Sequence, residues 1–453
     1  MGRCLRFRAR WLPCAPMCPS AFALSASYAS SSLRRFVVLA TALLACGSNG
    51  PTPLPFHPAS PVVAPDPAVF GPYPVGVTTI VLEDPSRPKA DGSPRRLLTE
   101  VWYPATEEAR AALAVGIDVG AYYDVLTLAT PAQQMSLGDA RAPLLRTEAL
   151  RGGVPRADRA PYPLVVFSHG QGGIRWQSTF FTVALASHGY VVVAPDHENN
   201  TLADGLADRL SSPIEGFGNR PADVSFLLDR FAPGARGGAQ PKGVTAAAST
   251  LAGLPGEHES ERDRDVVASL GALVDVRRIG VAGHSFGALT GFRVAASDER
   301  VRALVVHAPP DATLAFIERA DDFKLSIPVM LQGGGLDRTL PYDQNAGPAW
   351  LRTQKPHGLL KILTAGHFTF SDLCRFNLST LAARVGFTSL AGTLADGCEP
   401  PAPAAGLSQS LINHFSIGFF NATLYESAPS WLLLTQARAN GRWAGLAQVE
   451  TEY

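Results

Sequence analysis

The sequence predicts an α/β fold, with a mostly parallel central sheet flanked by helices and an antiparallel hairpin at its N-terminal side. Continuous apolar runs at 162–167 and 190–194 are typical of parallel strands that are buried on both faces. A helical stretch at 178–188 separates the two runs. This order predicts a βαβ unit with a right-handed crossover.

The other elements extend this unit in both directions. Residues 76–82 and 97–103 alternate apolar and polar side chains around a turn-rich segment, which predicts the hairpin. A helix is expected at 221–230, and segment 105–159 is interpreted as an elaboration outside the core pattern. The remaining strands are expected at 278–282, 301–306, 327–331 and 359–363, and a closing helix is expected at 411–424. These elements predict one domain over 73–453, although length alone does not exclude two domains.

A serine stands at the apex of a predicted strand-turn-helix unit. The string Gly283-His284-Ser285-Phe286-Gly287 follows strand 278–282 and precedes a helix predicted over 288–296. This is the pattern of the nucleophile elbow of α/β-hydrolases, in which glycines avoid collisions between the turn and the crossing elements. The alternative is a glycine-rich turn in which Ser285 only caps the following helix. The elbow makes Ser285 the candidate nucleophile.

A serine nucleophile needs a histidine to accept its proton and a carboxylate to orient that histidine. In α/β-hydrolases the chain order is serine, acid, histidine. His367 follows the last strand of the parallel set and is the candidate base, with His307 and His414 as weaker rivals. Asp337 follows the preceding strand and is the candidate acid, and Asp311, one strand earlier, is the alternative acid.

The tetrahedral intermediate of acyl transfer needs hydrogen-bond donors for its oxyanion. Phe286, the residue after the nucleophile, is expected to provide one backbone N–H. The other is expected from Gln171, within the string Ser168-His169-Gly170-Gln171-Gly172-Gly173 that follows a predicted strand. A plain glycine-rich turn is the alternative interpretation of that string.

Two further features concern the surroundings of the site. Trp176 and Phe368 are candidates for lining an apolar acyl pocket, although aromatic residues at such positions also serve as core. Segment 232–262 is rich in glycine and alanine and poorly periodic. It is expected to be either a mobile lid over the site or an ordinary surface loop.

The N-terminal residues 1–46 resemble a targeting segment. Two arginines precede the apolar run 36–45, which is shorter than the roughly 20 residues that a membrane span needs. The run ends in a lipobox-like sequence, which predicts lipidation of Cys46. Residues 1–32 are too long for an ordinary n-region, so translation is expected to start near Leu33. A longer cleavable signal and a buried apolar strand are the alternatives. The proline-rich residues 47–72 are then expected to form a semi-extended tether.

Beyond the targeting segment 1–46, the body of the mature chain contains only Cys374 and Cys398. In an exported protein they are expected to form a disulfide, with two free buried thiols as the alternative. The disulfide would close a loop of about 25 residues, for which the chain-entropy model predicts a stabilisation of about 3–4 kcal/mol.

Composition narrows the classes of function. Charged residues make up 17% of the chain and the formal net charge is zero, so there is no electrostatic case for nucleic-acid binding. No HExxH, CxxC or Walker-type pattern occurs in the sequence. Metal, thiol-redox and nucleotide chemistry therefore have no sequence support, and no cofactor is expected.

The motifs together resemble a known family. Phe167-Ser168-His169-Gly170 with the later Gly-His-Ser-Phe-Gly string resembles the platelet-activating-factor acetylhydrolases and the bacterial proteins often labelled predicted dienelactone hydrolases. Further strings that are similar to the bacterial branch are Trp102-Tyr103-Pro104, Ala194-Pro195-Asp196-His197, Arg220-Pro221-Ala222-Asp223 and Gly366-His367-Phe368-Thr369-Phe370-Ser371-Asp372. The likeness runs through most of residues 73–425. It implies an α/β-hydrolase fold and cofactor-free ester hydrolysis, with short-acyl phospholipids among the substrates.

The sequence departs from this family pattern in two respects. The acetylhydrolases carry their acid after the strand that here ends at His307, a region in which Asp311 lies. True dienelactone hydrolases use a cysteine nucleophile, whereas this elbow carries Ser285. The second departure argues against dienelactone chemistry.

The expected function is an exported serine esterase that acts through an acyl-enzyme on a small ester or phospholipid. We expect a bacterial lipoprotein of the outer membrane or periplasm, which contacts the membrane only through its N-terminal lipid. A broad carboxylesterase or polyester hydrolase is one alternative. A catalytically silent surface binding protein with a hydrolase fold is the alternative from another class.

Overall fold

The computed structural model describes residues 65–114, 147–236, 247–253, 255–316, 323–375, 379–380, 383 and 388–453. These residues contain one ten-stranded sheet in the order β10-β9-β8-β7-β6-β4-β5-β2-β1-β3. The strands are β1 Val75–Asp84, β2 Arg95–Pro104, β3 Ala149–Arg151, β4 Tyr162–Ser168, β5 Val191–Pro195, β6 Val274–His284, β7 Val301–His307, β8 Val329–Gly334, β9 His357–Ile362 and β10 Ala447–Glu452. Strands β4 to β9 are parallel, and β1 and β2 form the antiparallel hairpin. The predicted α/β-hydrolase fold is confirmed.

Helices pack on both faces of this sheet. Their bounds are α1 Glu107–Ala114, α2 Thr179–Ser187, α3 Leu202–Leu206, α4 Pro213–Phe231, α5 Ala248–Ala252, α6 Glu261–Gly271, α7 Phe286–Ser297, α8 Ala346–Ala349, α9 Thr388–Leu394, α10 Ala405–Thr423, α11 Ala428–Trp431 and α12 Gln436–Arg442. Alternate residues of β4 serve two cores, because Val165 packs with α2 and α10 while Val166 packs with α4, α6 and α7. This double burial explains the continuous apolar runs of the parallel strands.

Two element predictions need correction. Helix α4 begins at Pro213 and not at 221, because Ser212 and Glu215 form a capping box with proline at the first helical position. Pro221 lies inside this helix. Helix α10 is not the closing element, since the antiparallel edge strand β10 follows it and pairs with β9.

The described residues of segment 232–262 do not line the cavity at the serine, and those around Leu251 and Glu259 lie against the hairpin. Thr78 of β1 donates a hydrogen bond to the Leu251 carbonyl at 2.6 Å, and Glu259 accepts from the Glu83 N–H at 2.9 Å. These contacts place Leu251 and Glu259 beside β1. Residues 237–246 and 254 lie outside the described residues.

The last residues of the predicted tether pack on the domain. Asp66 forms an ion pair with Arg442 at 2.6 Å, and the Gly71 N–H donates to Ser187 Oγ at 2.7 Å. Residues 65–72 therefore belong to the folded unit, contrary to the predicted boundary at 73. The signal segment, Cys46 and the rest of the tether lie outside the described residues. Within the described residues, no helix has the length and apolar character needed to cross a membrane.

Candidate active site

Ser285 occupies a sharp turn between β6 and α7. Its backbone has φ 56° and ψ −120°, a conformation that non-glycine residues rarely adopt. A Cβ added at Gly283 would overlap the Gly287 carbonyl, and one added at Gly287 would overlap the Ser168 carbonyl. The two glycines thus allow the turn to pass close to its neighbours, and the serine is held at the carboxyl end of the sheet.

Asp337 and His367 form a buried pair. Asp337 follows β8, His367 follows β9, and His367 Nδ1 lies 2.8 Å from Asp337 Oδ2. The other carboxylate oxygen accepts the Leu340 N–H at 2.6 Å, which holds the acid in place. Because a carboxylate oxygen can only accept, the pair assigns the proton to Nδ1 and leaves Nε2 as the proton acceptor.

The alternative acid and the rival bases have other partners. Asp311 accepts hydrogen bonds from the Thr313 N–H and hydroxyl at 3.0 and 2.7 Å. His307 is buried with Nε2 2.9 Å from Ser416 Oγ, and His414 Nε2 lies 2.9 Å from the Leu433 carbonyl. The structure brings Asp337, and not Asp311, to His367.

Ser285 and His367 line the same cavity, which has a volume of about 700 Å³. Among the described residues no hydrogen bond joins their side chains. The hydrogen bond between a nucleophile and its base is often long or absent before substrate binds. The missing hydrogen bond is therefore compatible with a nucleophile–base role for Ser285 and His367.

The two proposed oxyanion donors also lie at this cavity. Phe286 is the first residue of α7, so its N–H has no partner within the helix. Gln171 belongs to the loop after β4, where a Cβ added at Gly170 would lie 3.5 Å from Ser285 Cβ. The loop therefore approaches Ser285 closely enough for a backbone N–H to reach a carbonyl group bound beside that serine.

A chain of hydrogen bonds that the sequence did not reveal links the Gly170 loop to His367. The Gly170 N–H donates to Gln177 Oε1 at 3.1 Å, and Gln177 Nε2 donates to His284 Nδ1 at 2.8 Å. His284 Nε2 in turn donates to the His367 carbonyl at 3.0 Å. Burial holds the pKa of His284 well below its usual range, so it stays neutral as this pattern requires. The only sequence signal was the position of His284 inside the elbow.

The cavity wall is mainly apolar. Its apolar side chains are Ile174, Leu202, Pro213, Ile214, Phe217, Phe286, Leu289, Pro310, Leu314, Leu340, Phe368, Leu373 and Leu394. Phe368 lines the cavity as expected from its place beside the base. Trp176 does not line the cavity, because the residue is only 4% exposed and belongs to the core cluster that contains the α2 side chains. The expectation for Trp176 is therefore corrected.

The predicted disulfide joins Cys374 to Cys398. Asp396, two residues before Cys398, accepts the Arg338 and Thr339 N–H groups at 3.1 and 3.0 Å. These hydrogen bonds connect the disulfide-closed segment to the loop that carries Asp337.

Comparisons with known proteins agree with this architecture. A family model described as platelet-activating factor acetylhydrolase, isoform II, matches residues 64–207, and a model of the alpha/beta hydrolase fold matches residues 163–326. The platelet-activating factor acetylhydrolase of Cavia porcellus is 26% identical over 154 residues, which are 33% of this chain and 35% of that protein. The Bos taurus protein of the same name is 27% identical over 150 residues, 31% of this chain and 33% of that protein. The match thus spans about a third of the length of these curated relatives.

A solved structure extends the likeness to most of the chain. A ferulic acid esterase from Streptomyces cinnamoneus superposes with a TM-score of 0.55 over 84% of this chain and 97% of the other, at 24% identity. At that identity the likeness shows the fold alone. The chain has the α/β-hydrolase fold and resembles the platelet-activating-factor acetylhydrolases over part of its length.

Proposed function

We propose that the protein is a serine esterase that hydrolyses carboxylic esters through an acyl-enzyme. The observation that carries this proposal is that a strained serine and a buried Asp–His pair open onto one apolar cavity. The acetylhydrolase and esterase likenesses support the same class of reaction. No step of the proposed mechanism needs a cofactor.

The residues divide the reaction between them. Ser285 Oγ attacks the ester carbonyl carbon while His367 Nε2 takes the hydroxyl proton. The resulting oxyanion accepts hydrogen bonds from the Gln171 and Phe286 N–H groups. When the tetrahedral intermediate collapses, the ester C–O bond breaks and the alcohol leaves with the proton from His367. Water then attacks the acyl-enzyme by the same route, which releases the acid and restores Ser285.

Asp337 keeps His367 in the required tautomer and stabilises the imidazolium that forms during each step. Its contact with His367 Nδ1 at 2.8 Å supports this role. The Asp337 side chain is 2% exposed, so salt and solvent screen the interaction little.

The cavity wall favours an uncharged, apolar part of the substrate. Among the described residues that line it, none is lysine, arginine, aspartate or glutamate. A short-acyl phospholipid remains a second candidate substrate, supported by the acetylhydrolase family match. Its phosphate would then have to stay at the cavity mouth, because a buried phosphate needs paired charges or donors.

The proposal is tested by hydrolysis of p-nitrophenyl acetate by the purified mature domain and its Ser285→Ala variant. In a worked subtilisin case, loss of the nucleophile costs about 10⁶-fold in kcat. We expect activity and fluorophosphonate labelling to disappear together in the variant. An unlabelled, inactive wild-type protein would favour the silent binding protein instead.

A substrate series separates the esterase alternatives. We expect p-nitrophenyl esters of uncharged acyl chains to be cleaved with higher kcat/KM than a short-acyl phosphatidylcholine, whose head group meets no cation on the described cavity wall. The opposite ranking would support the acetylhydrolase-like substrate. Comparable rates on all esters and on an aliphatic polyester film would support a broad carboxylesterase.

We also propose export and lipid attachment through Cys46. The disulfide is consistent with an oxidising compartment, and the lipobox-like sequence supports the anchor. Mass spectrometry of the protein expressed in a bacterium should find diacylglyceryl-cysteine at residue 46, and Cys46→Ser should move the protein from detergent-phase to aqueous fractions. A wild-type protein without lipid at that residue would refute the anchor.

A further inference from the structure

A buried polar cluster lies directly behind the loop that carries Gln171. It joins residues from three elements of the fold: Ser168 and His169 at the end of β4, His197 after β5, and Arg220 and Asp223 on α4. Arg220, Ser168, His197 and Asp223 are fully buried. Two of the strings noted in the sequence, Asp196-His197 and Arg220-Pro221-Ala222-Asp223, thus meet in one place without touching the reacting serine.

Asp223 is the carboxylate to which Arg95 and the histidine of this cluster bind. Its carboxylate accepts two hydrogen bonds from Arg95, at 2.6 and 2.7 Å, and lies 2.9 Å from His197 Nδ1. Burial lowers the pKa of His197 to about 3, so the ring is neutral and its Nδ1 carries the proton. Nε2 then accepts the hydroxyl proton of Ser168, whose Oγ lies 2.9 Å away.

Arg220 connects this fixed cluster to the Gln171 loop. Its Nη2 donates to Ser168 Oγ at 2.8 Å and to the His169 carbonyl, and its Nη1 donates to Asn200 Oδ1 at 3.1 Å. The His169 carbonyl lies two residues before Gln171. The guanidinium therefore holds the backbone at the start of the loop.

The same side chain also contacts the other proposed donor residue. The guanidinium carbon of Arg220 lies 5.0 Å from the centre of the Phe286 ring, a cation–π distance. One guanidinium group thus touches the β4 loop through hydrogen bonds and the elbow residue through its ring face.

We propose that Arg220 is a positioning residue that sets the relative placement of the Gln171 and Phe286 N–H groups. This inference rests on the proposed esterase function. Oxyanion donors act only when they point at the place where charge develops, and a misplacement of about 1 Å can cost roughly 100-fold in rate. Arg220 itself touches no substrate, because it is fully buried and does not line the cavity.

The test compares Arg220→Gln and Arg220→Lys with the wild-type protein on p-nitrophenyl acetate. We expect kcat to fall about 10- to 100-fold while KM changes little, since only transition-state contacts are lost. The inhibition constant of an aryl trifluoromethyl ketone, which adds to the serine as a tetrahedral adduct, should rise by the same factor as kcat/KM falls. Lysine restores one donor and should recover part of the loss.

Arg300→Gln is the matched control. Arg300 is also a buried arginine, with a 2% exposed side chain paired to Asp298 and Asp229. It lies just before the N-terminal end of β7, whereas Ser285 follows the C-terminal end of the neighbouring strand β6. We expect this variant to lose thermal stability while kcat and the ketone affinity stay at wild-type values.

Asn200→Ala removes a hydrogen-bond partner of Arg220 without altering the Gln171 loop. It tests the positioning role of Arg220 if Arg220→Gln does not fold. It should lower kcat about 3- to 10-fold.

The outcomes separate the two proposals. Wild-type protein that neither hydrolyses the ester nor reacts with fluorophosphonate contradicts the esterase function. An active wild type whose folded Arg220 variants keep both kcat and ketone affinity contradicts the positioning role alone. A fall in kcat with unchanged ketone affinity also overturns it, because the oxyanion contacts would then be intact.

Discussion

The described residues contain two arrangements of serine, histidine and aspartate with the same order of partners. At the cavity His367 pairs through Nδ1 with Asp337 at 2.8 Å, and in the buried cluster His197 pairs through Nδ1 with Asp223 at 2.9 Å. Only the buried arrangement has a hydrogen bond between serine and histidine, 2.9 Å from Ser168 Oγ to His197 Nε2. By hydrogen-bond geometry alone, Ser168 and not Ser285 would be chosen as the candidate nucleophile.

Access and backbone conformation distinguish the two serines. Ser168 ends a regular strand, is fully buried and has its hydroxyl engaged by Arg220 as well as by His197. Ser285 is partly exposed to the cavity in a strained turn. A hydroxyl engaged by a donor and an acceptor in a closed core positions its neighbours, whereas one at an open elbow can meet a substrate.

The largest expected effect in this comparison is that of Asp337→Asn. The amide would still fit but would not favour the Nδ1-protonated tautomer of His367, and the equivalent change in a well-characterised serine protease lowers kcat about 10⁴-fold. We expect a similar loss at neutral pH with an unchanged unfolding midpoint in urea. A kcat within tenfold of wild type would show that Asp337 is not the acid.

Asp223→Asn should show the reverse pattern. The change leaves Arg95, whose side chain is 8% exposed, without its buried countercharge, and breaking such a pair typically costs about 3–5 kcal/mol. Urea unfolding should report this loss, while the folded variant should still react with fluorophosphonate at Ser285. A variant with wild-type stability would mean that Asp223 does not anchor the buried cluster.

Acid should affect the buried arrangement through His197. Its folded pKa is about 3, well below its unfolded value, so between those values the unfolded chain binds the proton and the folded chain does not. This contribution to stability is therefore lost as pH falls from about 6 towards 3, by about 1.4 kcal/mol for each pH unit.

The variant His197→Gln tests the pH-dependent contribution of His197 to the free energy of unfolding. It removes the titrating group, so the stability difference between wild type and variant should shrink as the pH is lowered from 6 to 4. Chemical denaturation at a series of pH values measures the difference directly. A constant difference across that range would mean that His197 is not held neutral in the fold.

The smallest expected effect is that of Asp311→Asn. Thr313 binds this carboxylate through its N–H and hydroxyl, and His367 has Asp337 as its partner. We expect kcat within about twofold of wild type, as for a substitution outside the acid–base pair. A loss comparable to that of Asp337→Asn would restore Asp311 as the acid.

The site was predictable where its signals are local. The elbow string, the histidine after the last parallel strand and the aspartate after the preceding strand all follow from chain order and the edge of the sheet at which parallel strands end. The two cysteines were predicted to pair from their number in the mature chain, and they do. The prediction that Trp176 lines the acyl pocket is wrong, because its position next to the glycine loop did not reveal whether its side chain faces the cavity or the core.

Long-range partnerships were not predictable. Ser212 and Glu215 held a capping box that would have placed the start of α4, but nothing near Arg220 in the sequence indicates that it contacts Ser168, 52 residues away along the chain. The edge strand β10 was missed because a short alternating segment after a helix is recognisable only once β9 offers it a partner.

The sequence by itself determined the α/β order of elements, the serine at the elbow and the residue types of the acid and base, because these depend on periodicity and local turn chemistry. Only the tertiary structure decided that Asp337, and not Asp311, lies 2.8 Å from His367, and that the second serine–histidine–aspartate set is enclosed behind the Gln171 loop. Which side chains become neighbours and which remain open to substrate depends on how distant segments pack, and packing couples residues that the chain order keeps far apart.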